Sequence, residues 1–221
     1  MKQSRISEAD AISLSGFYAR YGKRILDILL SIVGLVVLAP LSASIAISIR
    51  LTMGRPAFFR QVRPGLNRHG FNIFKFRTMM ESRDGNGTSL PDRMRLTGFG
   101  RFLRMGSLDE LPELWNVVRG DMSLVGPRPL LIKYLPYFRK EEVARFEARP
   151  GITGLAQVVG RNKLSWDQRF SADIEYVRNI AFLKDIKILA LTLGQVLSSR
   201  GVEVDPGAAM MNLDDERSIQ R

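Results

Sequence analysis

The sequence predicts an α+β chain, mainly helical, in which a compact domain with a small β-hairpin or sheet is joined to one membrane-embedded helical element. Three observations carry this. From Ile28 to Ile49 no side chain is charged. Within Phe71–Met79 the side chains sort by period two, as in a strand. Phe182–Leu197 places Phe182, Ile186, Leu189, Leu193 and Leu197 at helical spacing, with Gly201 beyond.

The uncharged stretch comes first. Twenty-two residues at helical rise extend about 33 Å, against a hydrocarbon core of about 30 Å. Pro40 sits near its middle, where a proline deletes a helix hydrogen bond and kinks the backbone. Ser42, Ser44 and Ser48 follow, and serine hydroxyls satisfy carbonyls that a kink frees. Arg20, Lys23 and Arg24 precede the stretch; Arg50, Arg55, Arg60, Arg63 and Arg68 follow it. Basic flanks on both sides give no inside–outside asymmetry. Charge and length leave two forms open, a helix that enters and returns to the same face and a kinked single span. The residues before it, 1–20, form a polar tail without the apolar core of a signal peptide.

Composition narrows the chemistry. Thirty-three Lys and Arg against twenty-two Asp and Glu give a formal +11, which favours anionic partners such as nucleic acid, lipid headgroups or phosphorylated small molecules. Cysteine is absent and His69 is the one histidine, so thiol catalysis, disulfides and Cys/His zinc sites are excluded. A metal here would have oxygen ligands, as Mg²⁺ or Mn²⁺ prefer. No helix-turn-helix, RRM or zinc signature accompanies the charge, so no nucleic-acid partner is expected.

The remaining elements follow in order. Ala57–Val62 and Phe71–Met79 read as two strands joined by a Pro64–Gly70 turn. Alternation puts Ile73, Lys75 and Arg77 on one face, where Lys75 and Arg77 can reach one anion together; a solvated hairpin edge has the same pattern. Arg83–Gly87 is a loop whose spacing resembles a calcium loop without its closing Glu, and it is set aside. Ser107–Val118 reads as one helix stopped by Gly120, with Asp109 and Glu110 side by side at its start. Ser107 and Glu110 fit a capping box, and acids in a first turn suit the helix dipole. Pro112 disturbs that reading, because it falls where a backbone N–H is needed. Gly126–Pro129 and Arg149–Gly154 each hold an arginine against proline and glycine, and each suits a phosphate clamp or an ordinary turn. Tyr134–Ala148 suits either a membrane interface or a core helix with a charged outer face. From Val204 the chain turns polar and is expected to be disordered.

The order of these motifs says more than any one of them. A basic-flanked membrane helix with a central proline precedes Arg63-Pro64-Gly65 and Phe74-Lys75-Phe76-Arg77-Thr78-Met79. Ser107–Pro112, Gly120–Pro129, Arg149–Gly154, Gln157 and Gly160-Arg161-Asn162 follow. From Tyr21 to Gly201 the chain resembles the bacterial sugar transferase family, small monotopic polyprenyl-phosphate phosphoglycosyl transferases. The resemblance implies a re-entrant membrane helix over 21–52, broken at Pro40, and so favours that form over a span. Family members carry Ser-Pro at the break; this chain has Ala39-Pro40, so Ser42 or the proline alone would serve. It implies a catalytic domain over 53–201 on the cytoplasmic face of the bacterial inner membrane, with 202–221 a tail. It implies that Asp109 and Glu110 are the catalytic pair and hold Mg²⁺, with Asp109 as nucleophile. Lys75, Arg128 and Gln157 match family positions; Arg77, Arg104 and Arg149 are further candidates for phosphate. The implied partners are a UDP-sugar, polyprenyl (undecaprenyl) phosphate and membrane lipid. Arg83–Gly87 and Arg149–Asn162 resemble small members that use N-acetylated amino sugars. A plain hexose donor is the alternative, and a catalytically silent membrane-anchored scaffold a second one.

Overall fold

A computed structural model of the chain describes residues 16–81, 90–160, 164–198 and 211–218. The expectations for the polar start of the chain, for Arg83–Gly87 and for Arg161 and Asn162 fall outside the described residues.

A single π-helical turn, Tyr18–Gly22, leads into helix α1 (Lys23–Val37), and α2 (Ala39–Met53) starts after one intervening residue. The two stretches are bent by 61°. Leu38 makes the break, with φ −92° and ψ 5°. Pro40 falls in the first turn of α2, where its missing N–H costs no helical bond. The proline therefore opens a second helix, whereas the sequence pattern predicts a kink inside one. Ser44 Oγ donates to the Pro40 carbonyl at 2.9 Å, so Ser44 rather than Ser42 supplies the hydroxyl beside the break. Among the described residues no single helix is long and apolar enough to cross a membrane; the bent pair meets that test together.

Helix α1 is amphipathic in the reverse sense to a helix in water. Lys23, Asp27 and Ser31, spaced by four, are buried, while Ile25, Leu29, Val33 and Val36 are exposed. Lys23 and Asp27 are matched by the rest of the chain, whereas the Ser31 hydroxyl is buried without a partner among the described residues. Lys23 Nζ donates to Asp185 Oδ2 at 2.7 Å. Asp27 accepts from Ser123 Oγ at 2.7 Å and from the Leu124 N–H at 3.1 Å. Helix α2 instead buries Ile45, Ile49 and Met53 against Ala57, Phe76 and Leu103.

Strands β1 (Phe58–Pro64) and β2 (Gly70–Phe76) form the predicted antiparallel hairpin, with Phe58 opposite Phe76 and Pro64 opposite Gly70. Asn67 and Arg68 turn the chain at φ 52° and 66°. The second strand ends before Arg77, three residues short of the predicted Met79. Phe76 is drawn into the α2 core, and the chain leaves the strand there. A short helix, α3 (Asp92–Arg95), and α4 (Gly98–Met105) follow. Thr97 caps α4 by accepting the Gly100 N–H.

The predicted Ser107–Val118 helix is two pieces. Leu108–Glu110 is a 3₁₀ turn, and α5 (Glu113–Arg119) begins only after Pro112. Ser107 takes left-handed φ 52° and its side chain caps nothing, so the capping-box reading fails. Asn116 then crosses from α5 to β2. It accepts the Phe74 N–H at 3.0 Å and donates to the Asn72 carbonyl at 2.7 Å.

Strand β3 (Ser123–Val125) pairs in parallel with β4 (Gly151–Thr153). The chain between them holds two 3₁₀ segments, Ile132–Tyr137 and Lys140–Glu147, in place of either predicted helix. Pro136 interrupts the first, and Tyr134, Arg145 and Phe146 point into the protein. Helices α6 (Leu155–Val159), α7 (Trp166–Arg178) and α8 (Phe182–Leu197) complete the main body, α8 with the predicted bounds. A last helix, α9 (Leu213–Ser218), lies in the segment predicted to be disordered. Leu213 is fully buried beside Tyr134, Trp166 and Phe170. Arg217 pairs with Glu142 at 2.6 Å, a partner 75 residues back that local composition does not reveal.

Candidate active site

The 3₁₀ turn and the start of α5 bring three carboxylates together. Asp109 and Glu113 are buried, and Glu110 lies between them in sequence. Breaking the helix at Pro112 is what turns Asp109 and Glu110 away from capping positions. Strand β2 supplies the first cation. Lys75 Nζ lies 2.6 Å from Glu110 Oε1 and 3.0 Å from Glu113 Oε1. The second comes from the loop after β3, where Arg128 NH2 donates to the same Glu110 oxygen at 2.8 Å. Flanking Pro127 and Pro129 stiffen that loop, and Arg145 NH2 holds the Arg128 carbonyl at 2.8 Å.

The two neighbouring acids are thereby held in opposite states. Burial works against charge on Glu110, but Arg128 and Lys75 outweigh it and hold its carboxyl down at about 2. Burial, and then the charge of Glu110, push Asp109 above the ordinary carboxylate range; Lys75, Arg104 and Arg128 offset only part of this. Among the described residues no hydrogen bond ties down the Asp109 carboxylate. Glu113 is raised further, to about 7, chiefly by burial. Its Oε1 is close to Lys75 but lacks hydrogen-bond geometry, so it counts as a buried, unsatisfied oxygen. Lys75 and Arg128 are both held above their ordinary values, the first by Glu110 and Glu113 against its own burial, the second foremost by Glu110.

Beside this cluster lies a cleft of about 250 Å³, lined among others by Arg63, Lys75, Glu113, Arg128, Tyr134 and Trp166. Arg63 Nε is buried there without a partner, while its NH2 donates to Gln61 at 2.7 Å. A basic, partly apolar cleft beside these carboxylates suits a phosphorylated ligand with an organic end.

The structure sorts the predicted site residues into two groups. Asp109, Glu110, Lys75 and Arg128 converge, and Arg104 is close enough for its charge to act on Asp109 while its Nε donates to Thr78 Oγ1 at 3.1 Å. Arg77, Arg149 and Gln157 do not join them. The Arg77 guanidinium is spent on the carbonyls of Met53, Gly54 and Arg55, because the strand has ended and the side chain turns back under α2. Arg149 Nε donates to the Gly120 carbonyl at 3.0 Å, at the C-terminal end of α5, about 10 Å of helix away from the carboxylates. Gln157 Nε2 donates to the Ile152 carbonyl at 3.0 Å, and its Oε1 is buried without a partner. Sequence reasoning missed Glu113 and the cleft role of Arg63. For Glu113 a signal existed: it follows Asp109 by four residues, the spacing of one helical face.

The donor set suits a metal only in a limited way. Among the described residues no cluster of three or more acidic or imidazole side chains is placed to hold a metal. Mg²⁺ needs fewer, because it habitually takes one or two carboxylates and completes its shell with phosphate oxygens and water. Asp109 fits that use. Glu110 fits it less well, since one oxygen already serves two cations.

The fold and site thus join a basic cleft and a carboxylate cluster to a bent helix pair whose α1 turns apolar residues outward. The model of the bacterial sugar transferase family matches residues 18–199, and the chain belongs to that family. It is 53% identical over 155 residues to an uncharacterized sugar transferase, EpsL, of Bacillus subtilis, covering 70% of this chain and 77% of that one. It is 42% identical over 187 residues to the UDP-glucose:undecaprenyl-phosphate glucose-1-phosphate transferase of Caulobacter vibrioides, covering 80% and 70%. The enzyme of the same name from Xanthomonas campestris pv. campestris is 37% identical over 195 residues, with 83% of this chain aligned to 40% of that longer protein.

Proposed function

We propose that this enzyme moves a sugar 1-phosphate from a UDP-sugar onto undecaprenyl phosphate and releases UMP, through a covalent intermediate on Asp109. One observation carries the mechanism: two adjacent acids in opposite electrostatic states. Arg128 and Lys75 hold the Glu110 carboxyl well below its ordinary range, and its Oε1 pins both cations. Asp109 is buried, raised and, among the described residues, without a hydrogen bond, which makes it the more basic and more available nucleophile.

In the first step an Asp109 carboxylate oxygen attacks the sugar-linked phosphorus. The phosphorus–oxygen bond to UMP breaks, UMP leaves with its electron pair, and the phosphosugar stays on the carboxylate. In the second step an oxygen of the lipid phosphate attacks that phosphorus. The bond to Asp109 breaks, the lipid diphosphosugar forms and the carboxylate is restored. Phosphoryl transfer asks mainly for positioning and charge neutralisation, which Lys75 and Arg128 supply beside Asp109. Mg²⁺, held by Asp109 and by phosphate oxygens, would supply further neutralisation of the pyrophosphate.

For the donor we favour a plain hexose, because the relatives whose names state a sugar transfer glucose or galactose. This reverses the preference for an N-acetylated amino sugar drawn from the loops, one of which lies outside the described residues. The bent helix pair supports a re-entrant anchor. The outward residues of α1 are apolar and its polar side is fastened to the domain, while α2 packs Ile45, Ile49 and Met53 onto the domain core, so lipid would meet the pair from one side only. Such an anchor keeps the domain at the membrane face that carries both the nucleotide sugar and the acceptor phosphate, which in a bacterium is the cytoplasmic one.

The deciding experiment is UMP release from a panel of UDP-sugars by detergent-solubilised protein with Mg²⁺, with and without undecaprenyl phosphate. UDP-glucose is expected to turn over, and Asp109→Asn to lose UMP release even when acceptor is omitted. Substantial turnover by that variant would sink the covalent route. For the anchor, a cysteine at Gly16 is expected to be labelled only from the cytoplasmic side of sealed vesicles.

A further inference from the structure

The family match ends at residue 199, and α9 lies beyond it. This added helix does not pack at random. It sits on the two aromatic residues of the cleft. The Met211 carbonyl accepts the Trp166 indole N–H at 3.0 Å, and Asn212 Oδ1 accepts the Tyr134 hydroxyl at 3.0 Å. Tyr134 and Trp166 themselves meet edge to face at 5.6 Å. Leu213 has no exposed surface and fills the space beneath them.

Arg217 secures the segment. Its guanidinium donates to both Glu142 oxygens at 2.6 Å, to the Tyr137 carbonyl at 2.5 Å and to Asp167 at 3.0 Å. It also lies over the Phe170 ring at 5.4 Å. A bidentate, buried arginine pair of this kind fixes geometry as well as contributing energy. Phe170 is shared with Arg145, the residue that holds the Arg128 carbonyl. The C-terminal helix therefore braces the aromatic wall of the cleft directly and the Arg128 loop through one intermediate.

We propose that α9 is a latch that completes the donor cleft, with Leu213 and Arg217 as positioning residues that hold Tyr134 and Trp166 where a nucleotide diphosphate donor packs. This rests on the donor reading given above. The cleft offers Arg63, Lys75 and Arg128 for the diphosphate, and an aromatic pair for a flat organic group. An aromatic wall set by packing from outside contributes to donor binding, whereas the attack by Asp109 does not involve it. Loosening the latch thus raises KM for the donor and spares kcat.

The test uses the full chain in detergent, with UDP-glucose as donor and UMP release as readout. Trp115→Phe leaves Trp166 as the one tryptophan, so its emission reports on the wall. In that background Arg217→Ala is expected to raise donor KM about tenfold, with kcat within about twofold, and to shift Trp166 emission to the red. Arg217→Lys should recover part of both effects. Asn212→Ala, a surface change that removes the Tyr134 contact together with the Nδ2 bond to Asp215, should raise KM a few-fold and, because it leaves the Arg217 pairing in place, guards against a folding defect in the arginine variants. Unchanged donor KM in both Arg217→Ala and Asn212→Ala overturns the inference, as does loss of kcat at constant KM. Absence of UDP-sugar turnover in the unmodified chain overturns the proposed function, and this inference with it.

Discussion

The loops that follow β3 and precede β4 have nearly the same composition: Gly126-Pro127-Arg128-Pro129 and Arg149-Pro150-Gly151. By sequence each is an arginine held in a stiff turn, ready for a phosphate. In the fold they lie side by side, because β3 and β4 pair in parallel, and Gly126 packs so close to Arg149, Pro150 and Gly151 that a Cβ there would collide with their backbone. Yet they do different work. Arg128 reaches the N-terminal side of α5 and binds Glu110. Arg149 reaches the opposite end and, with Arg24 on the Val117 and Val118 carbonyls, closes the C-terminus of the same helix. One helix thus carries the site at one end and a structural clasp at the other. A guanidinium's role follows from which end of α5 it meets, and loop chemistry does not decide that.

The comparison breaks most plainly at alanine. Arg128→Ala is expected to lower kcat/KM for UMP release by about 10²–10³, as loss of a preorganised charge donor does, with a modest change in melting temperature. Arg149→Ala should do the reverse, costing about 1.5–3 kcal/mol of stability through an uncapped carbonyl, with kcat of the folded fraction little changed. Equal activity losses in the two would show that both arginines serve the site. Lysine sharpens the contrast. Arg128→Lys keeps the charge but loses the planar fork, and about a tenfold loss in kcat/KM is expected.

Protonation offers a third test on the same helix. Glu113 is raised by burial to about 7 from an ordinary 4.5, so the folded chain holds its proton more tightly than the unfolded one does. Its contribution to stability is fully present below about pH 4.5 and is lost as pH rises to about 7. Glu113→Gln removes that loss. Melting curves should therefore show the variant gaining on the parent between pH 5 and pH 8; a constant difference would mean that Lys75 keeps Glu113 ionised throughout. Glu110, held at about 2, has the opposite sign, and its stabilisation is lost only as pH falls from about 4.5 towards 2. The smallest effect is expected at the membrane break. Ser44→Ala removes an exposed hydroxyl bond to Pro40, worth about 0.5–1 kcal/mol, without altering UMP release.

Part of the site is legible in the residue pattern alone. Asp109, Glu110, Lys75 and Arg128 stand out through the order of motifs, and the strand period puts Lys75 on the face that meets α5. Glu113 is within reach through its spacing from Asp109, but a helix drawn continuously from Ser107 hides the break that makes the three acids converge. Arg77 belongs to the strand by period and lies one residue past its end in the fold. The pull of Phe76 into the α2 core, a contact across more than twenty residues, ends the strand first.

By itself the sequence determined what depends on local pattern. The uncharged stretch, the hairpin, the bounds of α8 and the family all follow from period, charge and motif order. The tertiary structure decided what depends on distant partners: that α1 turns its polar side inward because Asp185 and Ser123 await it, that Asp109 has no hydrogen bond among the described residues while Glu110 is pinned, and that α9 folds because Glu142 lies where Arg217 can reach it. Burial and charge pairing act through space, and a chain shows its own spacing but not its neighbours.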